Sequence, residues 1–263
     1  VGSGAAGGGT VTLAARDGLT VGARACVGAC TAGTGQRPAA DVLLSSTGGD
    51  VAVDGAVRTG GGGLRVRAAA TGDDMRITSL AGDLTDVGQL VLEPVTTASV
   101  GPVIDGSVTA DLKAGLDGYM AVAPAMIRDR LGPAAAGALV RPGLELQATG
   151  DLTLASDWSL TDWRYDGEAG YLVIRAPGAI QLNGSLSDAF TVTGTGANQV
   201  LNVVPGSSWS LGLAAGADLG SVLSLATAGR QFDGRAGGDL VLGNGRVIRT
   251  GTGDIAVAAD GNI

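Results

Sequence analysis

Short stretches in which apolar residues alternate with polar or small residues recur along the chain, and each is opened by a glycine. Each copy has Gly, then Gly, Asp or Ala, then an apolar-x-apolar triplet. The copies begin at Gly8, Gly48, Gly62, Gly72, Gly150, Gly178, Gly238 and Gly253. Alternation with a period of two is typical of strands that bury one face. Eight copies of one pattern indicate an internal repeat.

This repeat predicts an all-β fold, a parallel β-helix (β-solenoid). Helices are disfavoured because each opening glycine would cost a helix about 1 kcal/mol. The copies are irregularly spaced, which disagrees with a propeller of uniform blades but suits a β-helix, whose loops vary in length while its strands stack. With roughly 20 to 25 residues per coil, we expect on the order of ten coils. We assign them to residues 1–94 and 142–263.

Residues 95–141 lack the repeat and predict an irregular excursion from the solenoid. The stretch is rich in alanine, and five prolines lie in or beside it: Pro94, Pro102, Pro124, Pro133 and Pro142. We expect a short helix over Met120–Leu131, limited by Pro124 because proline interrupts helical hydrogen bonding. A further helical turn is expected over Ala134–Val140.

Composition narrows the classes of partner. Glycine is abundant, at 47 residues, and aromatic residues make up 3% of the chain, so small aliphatic side chains must fill the core. The net charge of -8 has the wrong sign for binding nucleic acid.

The most apolar stretch, Ala121–Val140, contains Arg128, Asp129 and Arg130, so we predict a buried or docked segment and not a membrane span. Because the sequence begins with Val1, we expect an internal or processed piece.

Cys26 and Cys30 predict a local disulfide, since paired cysteines close together in a secreted chain commonly pin a loop. A metal site would need two further ligands, and the chain contains no histidine. We predict no metal site and no cofactor. Asp73 and Asp74 and the repeated Gly-Asp pairs are open to a calcium interpretation, but aspartate after glycine commonly caps turns.

The absence of histidine excludes Ser-His-Asp and Cys-His catalysis within this chain, and we predict that it is not an enzyme. Carbohydrate cleavage by paired carboxylates is the enzymatic alternative. One segment combines carboxylates with aromatic rings: Asp157, Trp158, Asp162, Trp163, Tyr165, Asp166 and Glu168. Among these, Trp158, Trp163, Tyr165, Asp162 and Glu168 are the candidates for glycan contact. Packing of the aromatic residues inside a coil explains the same pattern without a ligand.

The second half of the chain resembles a block found in filamentous haemagglutinin-like exoproteins. The resemblance covers Arg141–Ile263. It is carried, in order, by Arg141–Leu146, Gly150–Trp158, Trp163–Tyr165, Gly170–Ala176, Asn183–Phe190, Ser208–Ser210, Ala215–Gly220 and Arg249–Ile255. The first half shares only the glycine-rich repeat.

The resemblance implies a giant surface protein of a Gram-negative bacterium, exported by two-partner secretion and displayed or released as a β-helical fibre. It places the protein outside the cell or at the outer-membrane surface, where it mediates adhesion, aggregation or biofilm formation. The implied partner is a host or neighbouring-cell surface, with a glycan as one candidate. A self-assembling filament subunit is an alternative, because the open ends of a solenoid can stack end to end. A carbohydrate-active β-helix enzyme is another.

Overall fold

The computed structural model describes residues 9–30, 39–195, 198–229 and 238–263. The first repeat copy begins at Gly8, outside these residues. The chain divides into two compact units. Unit 1 comprises Val1–Val95 and Tyr119–Arg141, and unit 2 comprises Thr96–Gly118 and Pro142–Ile263.

Unit 1 is built from parallel strands that return to the same sheets once per coil. Its strands are β1 Thr10–Ala15, β2 Gly18–Val21, β3 Cys26–Gly28, β4 Asp41–Ser46, β5 Asp50–Val53, β6 Ala56–Arg58, β7 Gly63–Thr71, β8 Asp74–Met75, β9 Ile77–Leu80, the first part of β10 Gln89–Val100, and β12 Leu139–Val140. The sheet orders are β1-β4-β7-β10, β2-β5-β9 and β3-β6. The strand β8 is antiparallel to β7, and β12 is parallel to β10.

Unit 2 repeats this plan with three stacked sheets. Its strands are β11 Val103–Ile104, β13 Gly143–Ala148, β14 Leu152–Leu154, β15 Trp158–Ser159, β16 Tyr171–Ala176, β17 Ile180–Leu182, β18 Leu186–Ser187, β19 Phe190–Thr193, β20 Val200–Val203, β21 Ser210–Ala215, β22 Leu240–Leu242, β23 Ile248–Arg249 and β24 Ile255–Ala259. The parallel sheet orders are β13-β16-β21-β24, β11-β14-β17-β22 and β15-β18-β23. β19 and β20 form a separate antiparallel pair.

The structure confirms the parallel β-solenoid. Equivalent residues of successive coils stack in the core, as in the buried ladder of Leu144, Leu172 and Leu211. The irregular spacing expected from sequence is confirmed, but some coils are longer than the roughly 20 to 25 residues assumed. Val42 pairs with Leu64, 22 residues later, whereas Leu211 pairs with Ile255, 44 residues later. The stacked strands keep their register because the extra residues lie in the connections between them.

The glycine-led copies correspond to solenoid strands with one exception. The copies that begin at Gly48, Gly62, Gly150, Gly178, Gly238 and Gly253 lead into β5, β7, β14, β17, β22 and β24. In the copy at Gly72, the apolar residues Met75 and Ile77 fall on different strands, β8 and β9. Both side chains are buried, so the alternation identified the core residues but not a continuous strand.

The expected irregular excursion is instead mostly regular structure. The strand β10 continues to Val100, and a single helix, α1, runs over Gly106–Leu131 before a short 3-10 helix at Gly132–Ala135. Oδ1 of Asp105 accepts hydrogen bonds from the Ser107 and Val108 amides, 3.0 and 3.1 Å away, which stabilises the first turn. The prediction of a short helix limited by Pro124 is wrong, because α1 continues through this proline.

The helix is held by burial more than by its intrinsic propensity. Leu116, Met120, Ala123 and Ile127 are buried and lie four, three and four positions apart, which places them along one side of α1. Tertiary packing of such a stripe outweighs the unfavourable effect of a glycine or proline within a helix. Among the residues described, no helix is both long enough and apolar enough to cross a membrane.

The structure joins Cys26 to Cys30 by a disulfide. Cys26 opens β3, and Cys30 follows two residues after the strand ends. The amide of Cys30 also donates a hydrogen bond to the carbonyl of Gly28, 2.9 Å away. The bridge therefore fixes the chain where it leaves a solenoid strand.

Candidate functional site

The two tryptophans that the sequence offered for glycan contact lie in the core of unit 2. Trp158 is 3% exposed and Trp163 is 4% exposed, and their ring centroids are 5.6 Å apart. Trp209, which was not among the glycan-contact candidates, packs edge-on against Trp163 and is fully buried. Its Nε1 donates a hydrogen bond to the Trp163 carbonyl, 2.7 Å away. The geometry favours the packing interpretation, because a sugar needs an open ring face for stacking.

An ion pair with a buried carboxylate fixes the backbone around this aromatic cluster. One guanidinium nitrogen of Arg164, Nη2, lies 2.8 and 2.9 Å from the two carboxylate oxygens of Asp188, which is completely buried. Asp188 also accepts hydrogen bonds from the backbone amides of Trp209 and Ala189. A buried carboxylate needs such a full set of donors. Asp188 therefore serves to hold three segments of unit 2 together.

Tyr165 and Glu168 occupy the ends of a tight turn. Each donates its backbone amide to the carbonyl of the other, at 3.0 and 2.9 Å. Between them Asp166 and Gly167 have φ of 53° and 78°, the conformation that Asp-Gly favours in two-residue hairpin turns. Both Asp162 and Asp166 are exposed, whereas Glu168 is half-buried. The structure thus places the five glycan-contact candidates in different environments: two core rings, two turn residues and one exposed carboxylate.

The hydroxyl of Tyr165 is engaged within unit 2. It donates to Oδ1 of Asp117, 2.8 Å away, and Nζ of Lys113 lies 2.7 Å from the other oxygen of the same carboxylate. Hydrogen bonding from Lys113, followed by that from Tyr165, lowers the pKa of Asp117 despite the opposing effect of desolvation. Burial raises the pKa of Tyr165, and the bond to Asp117 raises it further. Tyr165 therefore remains a neutral donor that ties its turn to α1.

An exposed feature that the sequence reasoning missed is the hairpin formed by β19 and β20. Its cross-strand pairs include Phe190 with Val203 and Val192 with Leu201. Because directly paired residues share a face of an antiparallel sheet, these four side chains form one apolar face. We call this face the hairpin patch.

The hairpin patch is open to solvent over most of its area. Val192, Leu201 and Val203 are 53%, 49% and 62% exposed. Phe190 is less exposed, and the guanidinium of Arg249 lies 4.6 Å from its ring centroid. The sequence from Phe190 to Val203 contains no charged residue, although the whole chain carries a net charge of -8. Contiguous apolar surface of this kind commonly marks an interaction site.

The described residues contain no group of three or more His, Cys, Asp or Glu side chains arranged to hold a metal ion. The fold defines the chain as a parallel β-solenoid protein that also contains one long helix and an antiparallel hairpin. No family model, curated protein or solved structure matches the chain. The relationship to filamentous haemagglutinins stays a prediction from the sequence.

Proposed function

We propose that this protein is a structural and adhesive segment of a secreted bacterial surface fibre. Each unit stacks coils whose apolar ladders are buried. Such repeats form scaffolds on which loops of different length are displayed. The proposal also draws on the likeness of Arg141–Ile263 to filamentous haemagglutinin-like exoproteins, which implies display outside a Gram-negative cell.

The hairpin patch is the observation that carries the adhesive part of the proposal. Leaving apolar area in water costs roughly 25 cal/mol per Å², so a stable protein gains by covering such a patch. The hairpin segment from Phe190 to Val203 carries no charge of its own, and the charged group against it is the cationic Arg249, so this part of an acidic chain adds no negative charge that would repel an acidic surface.

The partner that fits is an uncharged apolar surface of a protein on a host or neighbouring cell. A glycan fits less well, because sugar recognition commonly uses open aromatic rings and Trp158, Trp163 and Trp209 are all buried. The hairpin also forms a two-stranded sheet of its own, and exposed sheet edges can add a strand from a partner protein.

Adhesion of protein-coated beads to cells tests this proposal. Val192→Thr with Val203→Thr keeps the β-branched shape of the side chains but makes the hairpin patch polar. Each substitution removes about 1 kcal/mol of apolar contact, so we expect adhesion to weaken by an order of magnitude or more. The matched control, Thr191→Ser with Thr193→Ser, changes the opposite face and should leave adhesion unchanged. Equal adhesion of both variants, with unchanged circular dichroism, would exclude the patch as the contact.

Two further measurements separate the alternatives. Loss of adhesion after protease treatment of the cells supports a protein partner, whereas loss only after glycosidase treatment indicates a glycan. Concentration-dependent polymers in sedimentation would favour the filament-subunit alternative. We also expect no depolymerisation of polysaccharides. Activity that disappears on Asp162→Ala or Glu168→Ala would establish the enzyme alternative instead.

A further inference from the structure

The chain contains two Asn-Gly dipeptides, Asn183-Gly184 and Asn244-Gly245. Asn-Gly is the dipeptide most open to spontaneous deamidation, because glycine has no side chain to hinder its own amide nitrogen. That nitrogen attacks the asparagine Cγ, ammonia leaves, and water opens the resulting succinimide to aspartate or isoaspartate. The overall reaction converts one amide and one water into one carboxylic acid and one ammonia, without an enzyme or a cofactor. The two dipeptides share this chemistry but differ in structure.

Asn244 lies in an exposed turn between β22 and β23. The turn is closed by a hydrogen bond from the Arg246 amide to the Gly243 carbonyl, 3.0 Å away. Asn244, Gly245 and Arg246 are all exposed. No heavy atom lies within 4 Å of the position that a Cβ on Gly245 would occupy. Within the described ranges the Gly245 amide donates no hydrogen bond, so the attacking nitrogen is accessible.

Asn183 lies in a tightly packed turn after β17. The Gly184 amide donates a hydrogen bond to the Leu154 carbonyl, 2.9 Å away. A Cβ on Gly184 would lie 2.0 Å from the Ser156 carbonyl oxygen, which shows how closely the neighbouring coil approaches. The side-chain oxygen of Asn183 also accepts a hydrogen bond from Nε2 of Gln181, at 3.0 Å. The Asn183 side chain is exposed, but the attacking Gly184 nitrogen is buried and held, so the coil must open before this nitrogen can reach the Asn183 Cγ.

We infer that Asn244 is a site of spontaneous deamidation in the folded protein and that Asn183 is protected from it. The product places a new carboxylate two residues before Arg246, whose Nη1 lies 3.5 Å from Oδ1 of Asp157. Deamidation therefore adds one negative charge beside the ion pair of Arg246 and Asp157. The isoaspartate form also adds a methylene to the backbone of the turn.

Peptide mass spectrometry after incubation in mildly alkaline water enriched in oxygen-18 tests the inference. Incorporation of the label distinguishes deamidation during incubation from deamidation that preceded it. In the folded protein we expect Asn244 to react at least about tenfold faster than Asn183, which corresponds to about 1.4 kcal/mol of additional protection. In urea the two sites should react at similar rates, because both then have the same Asn-Gly chemistry in an open chain.

Comparable rates at both sites in the folded protein would overturn the inference. The inference would also be overturned if Asn244 did not react in the folded protein although both asparagines reacted in urea. Asn244→Gln should abolish the rapid reaction, since glutamine closes its ring much more slowly, and should leave Asn183 unchanged. These outcomes are independent of whether the protein is an adhesin.

Discussion

Nε of Arg67 lies 2.6 Å from Oε1 of Glu93, and the two residues are register partners on the neighbouring strands β7 and β10. Their side chains are only 6% and 3% exposed. The residue that precedes each of them on its strand is apolar and buried: Val66 on β7 and Leu92 on β10. A charge removed from water to this extent depends on its partner for compensation.

We expect Glu93→Leu to lower the free energy of unfolding by about 3 to 5 kcal/mol, since it removes a carboxylate that lies 2.6 Å from the buried Arg67 and 3.4 Å from Arg65. Urea unfolding followed by circular dichroism measures the change. The double variant Arg67→Met with Glu93→Leu should recover most of the loss. As a control, Asp50→Ala breaks an exposed pair with Arg76 and should cost less than about 1 kcal/mol. Equal losses for Glu93→Leu and Asp50→Ala would contradict this account.

The contact between Asp74 and Arg130 predicts a pH-dependent contribution to stability. Nη2 of Arg130 lies 2.8 Å from Oδ1 of Asp74. Desolvation raises the pKa of Asp74, but hydrogen bonds from Arg130 and from the Met75 amide outweigh it and lower the pKa overall. A carboxylate with a lowered pKa stabilises the fold above the ordinary aspartate value of about 3.9 and loses this effect as pH falls through the lowered value.

At neutral pH, Asp74→Asn should therefore reduce the free energy of unfolding by about 1 to 3 kcal/mol. The difference from the unaltered protein should shrink below about pH 4. Urea unfolding at a series of pH values measures it. Asp73→Asn, at the exposed neighbouring residue, is the matched control for a change of net charge. A difference that is independent of pH, or equal for the two variants, would contradict the assigned role of Asp74.

Burial of Trp158, Trp163 and Trp209 predicts weak quenching of tryptophan fluorescence by acrylamide. These are the three tryptophans of the chain, and all are at most 4% exposed. Unfolding in urea should make quenching efficient, and oligosaccharides should leave the folded emission unchanged. Strong quenching of the folded protein, or a sugar-dependent spectral shift, would favour the glycan-contact interpretation.

Substitution by alanine should have opposite effects on stability at two of the glycines. Gly170→Ala would bring a Cβ to 2.0 Å from the Pro142 carbonyl oxygen of the neighbouring coil, so we expect a marked loss of stability. Gly115 lies on α1 with no heavy atom within 4 Å of the corresponding position. Gly115→Ala should stabilise the protein by up to about 1 kcal/mol through higher helix propensity. Thermal unfolding compares the two, and similar shifts in the same direction would contradict the packing described.

The solenoid could be predicted from sequence because each strand has a recognisable local pattern, a glycine followed by alternating apolar residues. In the copy at Gly150, the glycine marks the turn and the alternation of Leu152 and Leu154 marks the buried face. The copy at Gly72 shows the limit of this signal. Alternation identified Met75 and Ile77 as core residues, but the chain bends at Arg76 between β8 and β9, where Arg130, distant in sequence, donates hydrogen bonds to the carbonyls of both residues.

The length of α1 was missed because glycines and Pro124 lower its intrinsic propensity, and packing decided the outcome. The spacing of Leu116, Met120, Ala123 and Ile127 was the available signal. The burial of Trp158 and Trp163 could not be read from local sequence, since it depends on Trp209, which lies 46 residues beyond Trp163 along the chain. The hairpin had a partial signal in the alternation around Val192, but its exposure follows only from the three-dimensional structure.

The difference between coils of 22 and 44 residues has a consequence for how such a protein can change over time. Insertions and deletions in the connections leave the stacked ladder of Leu144, Leu172 and Leu211 intact, so they need no compensating change in the core. Selection can therefore act on what the outer loops recognise almost independently of selection for folding. The same independence makes these connections natural places to graft a foreign epitope onto the scaffold.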